Sequence, residues 1–467
     1  MARFDGALII ELTNTKTSTS IHTDTVRPLG VFGLHETFVK RDIPSTVINY
    51  ADYWDDKELL ESILLWCSKH AVRRPVVACS TLFNTDIFKN NTTIYKVLTE
   101  LKAHIDITIA VGGPDNHFSF DDLKPDVMFL GRTLHLFEHW IDGLPVRQPE
   151  IQNSIPVHRP KDKEIVETPI VSKLYDDYCL MPTDVLNFET RLGCKFNCTF
   201  CSFPHRNAKD TQDSDPDALY EFFQTAKDKY GVTHFSCADD TINEDDSKLE
   251  CLLSAVERLD YTPFIVGFTR FDIIANKPEQ IELLDKCGIH AHFWGTETFH
   301  PVASKNIKKR LTKEKAFKTM QHVKENYPHW WTAASYITGL PGEPVEHCIE
   351  TIDEIRKLQL VDSLSIIPLS ITFLPGEYDP NASAFSLFPE KYGITLKKQE
   401  RSHTWEHELC NEKTARIVAE KMSSKNVRKG LTNRGPWNHI SEKAIGNANV
   451  TNHIDTYIAK KKIQMLD

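Results

Sequence analysis

The sequence has no apolar run long enough to cross a membrane. Its longest apolar runs, such as Ala7 to Ile10, fall far short of the roughly 20 residues that a membrane helix needs. The first residues also lack the long apolar core of a signal peptide. We therefore expect a cytoplasmic protein without a membrane partner.

The chain also lacks the excess of basic residues that a general nucleic-acid surface needs. Its 467 residues include 55 Lys and Arg against 65 Asp and Glu, a formal net charge of −10. We therefore do not expect a nucleic-acid partner. With 40% hydrophobic and 26% charged residues, the composition is that of an ordinary globular protein of two or three domains. Internal repeats and low-complexity tracts are absent.

Cysteines are scattered along the chain except in one short segment. Eight of the 11 show no common spacing, and we expect them to be small buried side chains in a reducing compartment. The other three, Cys194, Cys198 and Cys201, form a Cys-x3-Cys-x2-Cys pattern, with Phe200 just before the third. Chance placement would give about 0.006 such triplets in a chain of this composition. The triplet therefore indicates a metal site.

Three thiolates on one tight loop suit a four-iron cluster, because each can hold one iron. The fourth iron then has no cysteine and stays open to a ligand, as in reactive rather than structural metal centres. A zinc knuckle is one alternative, and it needs a fourth ligand, for which His205 is the only local candidate. Disulfide bonding is the least favoured interpretation. The sequence thus predicts a [4Fe-4S] cluster whose metal ligands and catalytic residues are Cys194, Cys198 and Cys201.

Residues 1–145 alternate short apolar runs with helical patterns, which predicts an α/β domain with a doubly wound parallel sheet. A helical stripe of apolar residues covers Asp55–His70. In such sheets ligands bind at the carboxyl ends of the strands. Gly112 and Gly113 are expected there, although a plain turn is the alternative. The predicted strands are Ala7–Leu12, Thr46–Tyr50, Val76–Ser80, Ile107–Val111 and Val127–Leu130.

The remainder of the chain divides into three predicted regions. Residues 146–182 are rich in proline and weakly periodic, so we expect a surface linker. Residues 183–375 contain six strand–helix units, which predict a partial parallel barrel with its chemistry at the carboxyl ends of the strands. Residues 376–467 form a mixed C-terminal extension that we expect to close one end of the barrel pocket. The six predicted strands are Val185–Thr190, His234–Ala238, Phe264–Thr269, Ile289–Trp294, Ala333–Thr338 and Leu364–Pro368.

The cysteine segment and five later segments together resemble the radical S-adenosylmethionine (SAM) superfamily. Each later segment follows a predicted strand, and two resemble the family's Gly-x-Glu-Ser and Gly-Leu-Pro-Gly-Glu motifs. The resemblance covers about residues 183–375 and implies a partial (β/α)6 radical SAM barrel. The five segments are Cys237-Ala238-Asp239-Asp240, Phe268-Thr269-Arg270, Gly295-Thr296-Glu297, Gly339-Leu340-Pro341-Gly342-Glu343 and Phe373-Leu374-Pro375-Gly376-Glu377.

The resemblance implies a [4Fe-4S] cluster and SAM as cofactors, with the methionine amine and carboxylate of SAM on the open iron. It places Asp239 or Asp240 near that amine, where a charge-assisted hydrogen bond is strong. Either aspartate could instead cap the following helix. Arg270 is expected at the methionine carboxylate or in a structural salt bridge to a neighbouring strand. Glu297 is expected at the ribose hydroxyls or at the amine.

Three further residues are implied as cofactor contacts: Phe200, Gly339 and Gly342. The two glycines would let the backbone approach the adenine, or would serve a turn that needs positive φ, and both can hold together. The side chains of His290, His292 and Trp294 share parity on the fourth strand. We interpret them as packed side chains in preference to substrate contacts.

The N-terminal region resembles the cobalamin-binding-like domain of one branch of this superfamily. Ser80-Thr81-Leu82 and Gly112-Gly113 match two of the three sequence motifs of that domain. The third, Asp-x-His-x-x-Gly, is absent, because the sequence around His35 does not fit it. Some members of the branch bind cobalamin without that histidine and others bind none. Cobalamin at Ser80, Leu82, Gly112 and Gly113 is therefore left open, and without it the domain would be a scaffold or a substrate-docking module.

The leading hypothesis is a radical SAM enzyme that generates a 5′-deoxyadenosyl radical and abstracts hydrogen from an unactivated carbon. Methyl transfer to a small molecule or peptide is the first reaction considered, and ring formation or rearrangement the second. A flavodoxin or ferredoxin is expected as electron donor. Methylthio transfer to RNA is an alternative, disfavoured by the acidic charge and by the lack of three further clustered cysteines. A cluster-bearing sensor without turnover is the other alternative.

Overall fold

The computed structural model divides the chain into two compact units, Met1–Phe188 with Glu221–Thr233 and Ser441–Asp467, and Glu189–Tyr220 with His234–Ile440. Three features singled out in the sequence, Leu82, His205 and the segment 373–377, lie outside the described residues. The structure describes residues 3–12, 25–81, 87–113, 120–146, 148–152, 154–159, 169–202, 213–371, 382–398, 403–424, 426, 431–432, 435–446 and 449–466.

Strands and helices alternate along most of the described chain. The strands are β1 (Gly6–Glu11), β2 (Val26–Arg27), β3 (Ser45–Ile48), β4 (Pro75–Ser80), β5 (Thr108–Gly113), β6 (Val127–Leu130), β7 (Glu150–Gln152), β8 (Ile155–His158), β9 (Val185–Phe188), β10 (His234–Cys237), β11 (Phe264–Thr269), β12 (Ile289–Glu297), β13 (Trp331–Thr338), β14 (Ser363–Pro368), β15 (Thr395–Lys398), β16 (His403–His407) and β17 (Cys410–Asn411). The helices are α1 (Leu29–Val39), α2 (Asp56–Lys69), α3 (Thr93–His104), α4 (Leu134–Ile141), α5 (Pro216–Tyr230), α6 (Asp246–Val256), α7 (Phe271–Asn276), α8 (Glu279–Lys286), α9 (Pro301–Asn306), α10 (Lys313–Asn326), α11 (Val345–Leu358), α12 (Ala384–Leu387), α13 (Glu412–Ser423), α14 (Pro436–Ile445) and α15 (Val450–Leu466).

The first unit is built on a seven-stranded sheet with the order β3-β1-β4-β5-β6-β8-β7. All pairs are parallel except β7 with β8. Strands β1 and β4 are buried at every position, as expected when helices cover both faces of a parallel sheet. The five predicted strands all form, within two residues of their predicted bounds. The predicted α/β fold with a doubly wound sheet is confirmed.

Two parts of the first unit differ from the sequence-based expectation. The region expected as a linker, 146–182, contributes β7 and β8 to the edge of the sheet, where Ile155 and Val157 are buried. Pro156 is tolerated because β8 lies near the sheet edge. Helix α15, from the expected C-terminal extension, also belongs to this unit, and its Tyr457 hydroxyl accepts a hydrogen bond from the Asn49 amide at 2.9 Å.

The second unit contains strands β10 to β14, which pair in parallel and in sequence order. Helices α6 to α11 follow these strands in turn, as a partial barrel requires. The remaining predicted barrel strand, β9, is grouped with the first unit, where it pairs with β2. All six predicted strands form within three residues of their predicted bounds. A small antiparallel sheet, β15-β16-β17, follows. Within the described ranges, no helix is long and apolar enough to cross a membrane.

Candidate metal centre and cofactor site

The three clustered cysteines lie on one tight, partly buried loop of the second unit. The loop begins with a turn at Gly193, whose φ of 76° favours glycine. The Cys201 amide donates a hydrogen bond to the Cys198 carbonyl at 3.2 Å, which closes the loop on itself. All three side chains are half-buried, whereas the other eight cysteines are buried except for Cys251. Burial raises the pKa of the Cys194 thiol. These three thiols are a donor set that fits an iron–sulfur cluster.

Asp239 fastens the beginning of the cysteine loop to the sheet. Its carboxylate accepts a hydrogen bond from the Thr190 amide at 2.8 Å and lies 2.6 Å from the Lys248 ammonium. The side chains of Asp239 and Lys248 are almost completely buried. Burial alone would lower the pKa of Lys248, but Asp239 together with other acidic neighbours, including Glu244, more than offsets this, and the pKa is raised. The Asp239 carboxylate is thus engaged inside the unit.

Two neighbouring carboxylates hold the same loop. Glu244 accepts hydrogen bonds from the Lys195 amide at 3.1 Å and from Arg191 at 3.2 Å. Asp245 accepts from Arg191 at 2.8 Å and caps helix α6 by accepting from the Lys248 amide at 3.1 Å. Burial acts to raise the pKa of Asp245, yet its hydrogen bonds with Arg191 and Lys195 lower it overall. The capping role considered for Asp239 or Asp240 therefore belongs to Asp245.

Asp240 occupies a different position from Asp239. It follows β10 at the carboxyl end of the sheet and is only half-buried. Its carbonyl accepts a hydrogen bond from the Thr241 hydroxyl at 2.7 Å, and that hydroxyl lies 3.8 Å from the Cys194 sulfur. The structure therefore brings Asp240 and the cysteine loop into the same neighbourhood.

Arg270 makes direct contact with the cysteine loop. One guanidinium nitrogen donates to the Cys198 sulfur at 3.1 Å, and the guanidinium carbon lies 3.8 Å from the centre of the Phe196 ring. A second edge of the group binds the Asp272 carboxylate at 2.9 and 3.1 Å. Arg270 thus forms a salt bridge, but with the helix that directly follows it and not with a neighbouring strand. The contact with a cysteine sulfur was not indicated by the sequence.

Glu297 stands at the carboxyl end of β12 in an unusual backbone conformation. Its φ of 66° is uncommon for a residue with a side chain, and the register with β13 shifts at this point. The buried carboxylate accepts a hydrogen bond from the Ser335 hydroxyl at 2.9 Å and lies 3.3 Å from the Lys309 ammonium. Strain of this kind clusters at functional sites because the surrounding structure must hold it in place.

The two glycines of the Gly339–Gly342 turn both have positive φ, of 83° and 94°. A Cβ at Gly339 would lie 2.5 Å from the Trp405 ring, and one at Gly342 would lie 2.6 Å from Val302. Turn geometry and close packing therefore account for both glycines, whereas the expected approach to adenine stays a prediction.

The last residue of this motif links it to the preceding one. The buried Glu343 carboxylate accepts hydrogen bonds from the Thr298 hydroxyl at 2.8 Å and from the Tyr336 hydroxyl at 2.5 Å. The two segments that resemble family motifs thus support each other through one carboxylate.

Three other residues that the sequence analysis considered as cofactor or substrate contacts pack against neighbouring side chains. Phe200 packs against a hydrophobic cluster that includes Leu340 and Trp405. His292 is fully buried, and its ring centroid lies 4.0 Å from that of Trp330, while burial lowers its pKa to about 3. Trp294 is also fully buried. His292 and Trp294 are therefore packed as interpreted, but His292 Nε2 and Trp294 Nε1 are buried without a hydrogen-bond partner among the described residues.

The C-terminal extension covers part of one sheet face in this unit. The Trp437 ring lies 4.6 Å from the Phe268 ring, and its Nε1 donates to the Ser236 hydroxyl at 3.0 Å. Phe268 and Phe293 are paired in register, so they share this face. Phe268 remains 42% exposed, which leaves an aromatic surface open on the same face.

In the first unit, the predicted N-terminal cofactor residues lie side by side. Ser80 at the end of β4 pairs with Gly112 in β5. A Cβ at Gly113 would lie 2.5 Å from the Thr81 carbonyl oxygen, so this position needs glycine. His35 is buried in helix α1, with its Nε2 3.5 Å from Asp177. The structure thus brings Ser80, Gly112 and Gly113 together at the carboxyl edge of the sheet.

Comparison with known proteins identifies the second unit. Residues 189–355 match the family model of the Radical SAM superfamily. Residues 189–355 of the chain therefore form a Radical SAM domain. A domain of this class indicates an enzyme and implies a [4Fe-4S] cluster and SAM as cofactors.

Two solved structures share the fold over both units. TsrM from Kitasatospora setae, a radical SAM methyltransferase solved with cobalamin and a [4Fe-4S] cluster, is 12% identical with a TM-score of 0.57 over 85% of this chain and 82% of that chain. OxsB, a cobalamin-dependent SAM radical enzyme solved with aqua-cobalamin and SAM, is 10% identical with a TM-score of 0.57 over 99% of this chain and 79% of that chain. At these identities the likeness shows the fold alone, which is that of a radical SAM barrel with an N-terminal cobalamin-binding-like domain.

The matches to curated sequences cover a smaller part of the chain than the matches to solved structures do. A tRNA-2-methylthio-N(6)-dimethylallyladenosine synthase of Caldicellulosiruptor saccharolyticus is 23% identical over 189 residues, which are 38% of this chain and 38% of the relative. The protein of the same name from Corynebacterium glutamicum is 22% identical over 246 residues, or 49% of this chain and 44% of the relative. The chain thus spans less than half the length of these curated relatives.

Some residues of the site were not indicated by the motifs. Lys248 binds Asp239, and Lys309 and Ser335 hold Glu297. One signal was present for Lys248, because it lies on the apolar stripe of α6 with Leu249 and Leu252. A lysine on a buried helix face requires a carboxylate partner.

Proposed function

We propose that this chain is a radical SAM enzyme in which Cys194, Cys198 and Cys201 hold a [4Fe-4S] cluster with one open iron. The observation that carries the proposal is that the three thiols share one half-buried loop. The loop is tied down by Asp239 and contacted at a sulfur by Arg270. Such restraint suits a metal centre, because groups that position ligands contribute to metal affinity.

When bound, the cluster and SAM would supply reductive cleavage to methionine and a 5′-deoxyadenosyl radical for hydrogen abstraction. Asp240 would accept a hydrogen bond from the methionine amine, since Asp239 is committed to Thr190 and Lys248. Glu297, pre-positioned by Lys309 and Ser335, would accept from ribose hydroxyls or from the amine.

Product analysis tests the class of reaction. The full chain is reconstituted anaerobically with iron and sulfide, reduced with dithionite and given SAM, and we expect 5′-deoxyadenosine and methionine. Formation of neither product by a protein with an intact cluster would overturn the enzyme proposal and favour a sensor.

We further propose methyl transfer to an unactivated carbon of a small molecule or peptide, with cobalamin at Ser80, Gly112, Gly113 and the adjoining Leu82. The support is the placement of the three described residues at the carboxyl edge of a doubly wound sheet, where ligands bind. The same reconstituted protein, incubated with hydroxocobalamin and desalted, should retain the visible spectrum of cobalamin. A colourless fraction would leave this domain as a scaffold or docking module.

The open aromatic surface at Phe268 supports an apolar group in the substrate. A flavodoxin or ferredoxin would supply the electron, and a cytoplasmic location suits seven buried cysteines outside the cluster loop.

The second candidate function is methylthio transfer to tRNA, because the curated relatives carry that name. A second cluster would give about eight irons per chain instead of about four, so the iron content separates the two candidates.

Replacing Arg270 with Met should lower the reduction potential of the reconstituted cluster. The change removes the hydrogen bond to the Cys198 sulfur, and hydrogen bonds to sulfur help set cluster potentials. Asp272 is changed to Asn in the same chain, so that no buried carboxylate loses its partner. Potentiometric titration followed by electron paramagnetic resonance is the measurement. Arg258→Met, at an exposed arginine of the same unit, is the control, and an equal potential in all three proteins would contradict the assignment.

A further inference from the structure

Three metal-ligating side chains converge at the amino end of strand β12. Asp285 belongs to helix α8, His290 is the second residue of β12, and His329 precedes β13. Each offers one ligand atom, and these atoms all lie within 4.8 Å of one another. The Asp285 Oδ1 atom is 2.7 Å from His329 Nε2 and 3.5 Å from His290 Nε2. The two imidazole nitrogens thus point at the same carboxylate oxygen.

Hydrogen bonding to Asp285 accounts for only part of this arrangement. The same Oδ1 atom also accepts a hydrogen bond from Trp330 Nε1 at 2.7 Å. A carboxylate oxygen has two lone pairs, so Trp330 and His329 already saturate it. His290, at 3.5 Å, lies beyond the usual hydrogen-bond distance. A cation between the three groups would instead use one oxygen and two nitrogen lone pairs together.

We propose that Asp285, His290 and His329 form a binding site for a divalent transition-metal ion such as zinc. Two imidazoles and a carboxylate are ligands that zinc takes, and three protein ligands leave one position for water. Trp330 holds the carboxylate in place, as outer partners of metal ligands commonly do.

The site is separate from the cysteine loop. His290 lies at the amino end of β12 and Glu297 at its carboxyl end. Seven strand residues correspond to about 23 Å, so the ion would not take part in the proposed radical reaction. It would link the end of α8, the start of β12 and the segment before β13. We therefore assign the ion a stabilising role in this part of the second unit.

Cobalt(II) is the probe for this site, because its absorption in the visible range reports ligand number and type. The full chain, without an affinity tag, carries Cys194→Ala, Cys198→Ala and Cys201→Ala, so that the cluster loop takes no metal. We expect one equivalent of Co²⁺ to saturate the absorption and Zn²⁺ to displace it. His329→Ala, at a side chain that is half exposed, and Asp285→Asn should each weaken the apparent affinity at least about tenfold.

Two further variants make the result decisive. His322→Ala on helix α10, whose side chain bonds within its own helix to Asn326, is the matched control and should bind Co²⁺ unchanged. Trp330→Phe should weaken binding by less than His329→Ala does, because it removes an outer partner and no ligand. No saturable absorption, or equal affinity in His329→Ala and the control, would overturn the site. In the chain with all cysteines intact, His329→Ala should retain its iron and its SAM cleavage, which keeps this test independent of the proposed function.

Discussion

Cys198→Ala should reduce the iron content of the reconstituted chain to background and abolish formation of 5′-deoxyadenosine. Two remaining thiols cannot hold three irons of a cuboidal cluster, and the Arg270 guanidinium would lose the sulfur that it contacts. Iron is measured by colorimetric assay and the nucleoside by chromatography, with a loss of at least about a hundredfold in product expected.

Cys251→Ala is the matched control for this change. Cys251 is also only partly buried, belongs to the same unit and lies outside the cysteine loop. We expect it to keep about four irons per chain. Undiminished iron in Cys198→Ala would contradict the assignment of the ligands.

Asp239→Ala should both destabilise the second unit and remove the cluster. The change leaves the buried Lys248 ammonium with the Thr241 carbonyl at 2.7 Å and the Glu244 carboxylate at 3.5 Å, and it releases the Thr190 amide that begins the cysteine loop. Breaking a buried ion pair costs about 3–5 kcal/mol, and we expect the lower end because Glu244 remains. Urea denaturation and the iron content measure the two effects.

Asp239→Asn separates the hydrogen bond that anchors the loop from the charge of the carboxylate, and Asp246→Ala is the matched control. Asp239→Asn keeps an oxygen for the Thr190 amide and should retain more iron than Asp239→Ala. Asp246→Ala, in helix α6 at a partly exposed carboxylate paired with Lys277, should change stability by less than about 1 kcal/mol and leave the iron unchanged. Full iron in Asp239→Ala would show that this carboxylate does not hold the loop.

The strands could be predicted because buried parallel strands are continuous apolar runs in the sequence. The same reasoning missed β7 and β8, since both strands are short and β8 contains Pro156, so neither shows such a run. The spacing of the three cysteines predicted one shared loop, because ligands so close in sequence need no long-range information. The fold and the superfamily were therefore accessible from the sequence.

Contacts between distant residues were not accessible in this way. Asp239 lies in the segment that resembles the family's acidic motif, yet its partners are Thr190 and Lys248, which only the folded chain brings together. Arg270 meets Cys198 across 72 residues of sequence. A motif identifies the type of residue at a strand end, whereas the partner that uses its charge depends on packing.

Mössbauer spectroscopy of the chain reconstituted with ⁵⁷Fe, recorded before and after addition of SAM, tests the central claim most directly. Three cysteine ligands for four irons make one iron different from the rest. We predict that SAM changes the signal of one quarter of the iron and leaves three quarters unaltered. A spectrum in which all irons are equivalent and SAM changes none of them would contradict a cluster held by Cys194, Cys198 and Cys201 with an open iron.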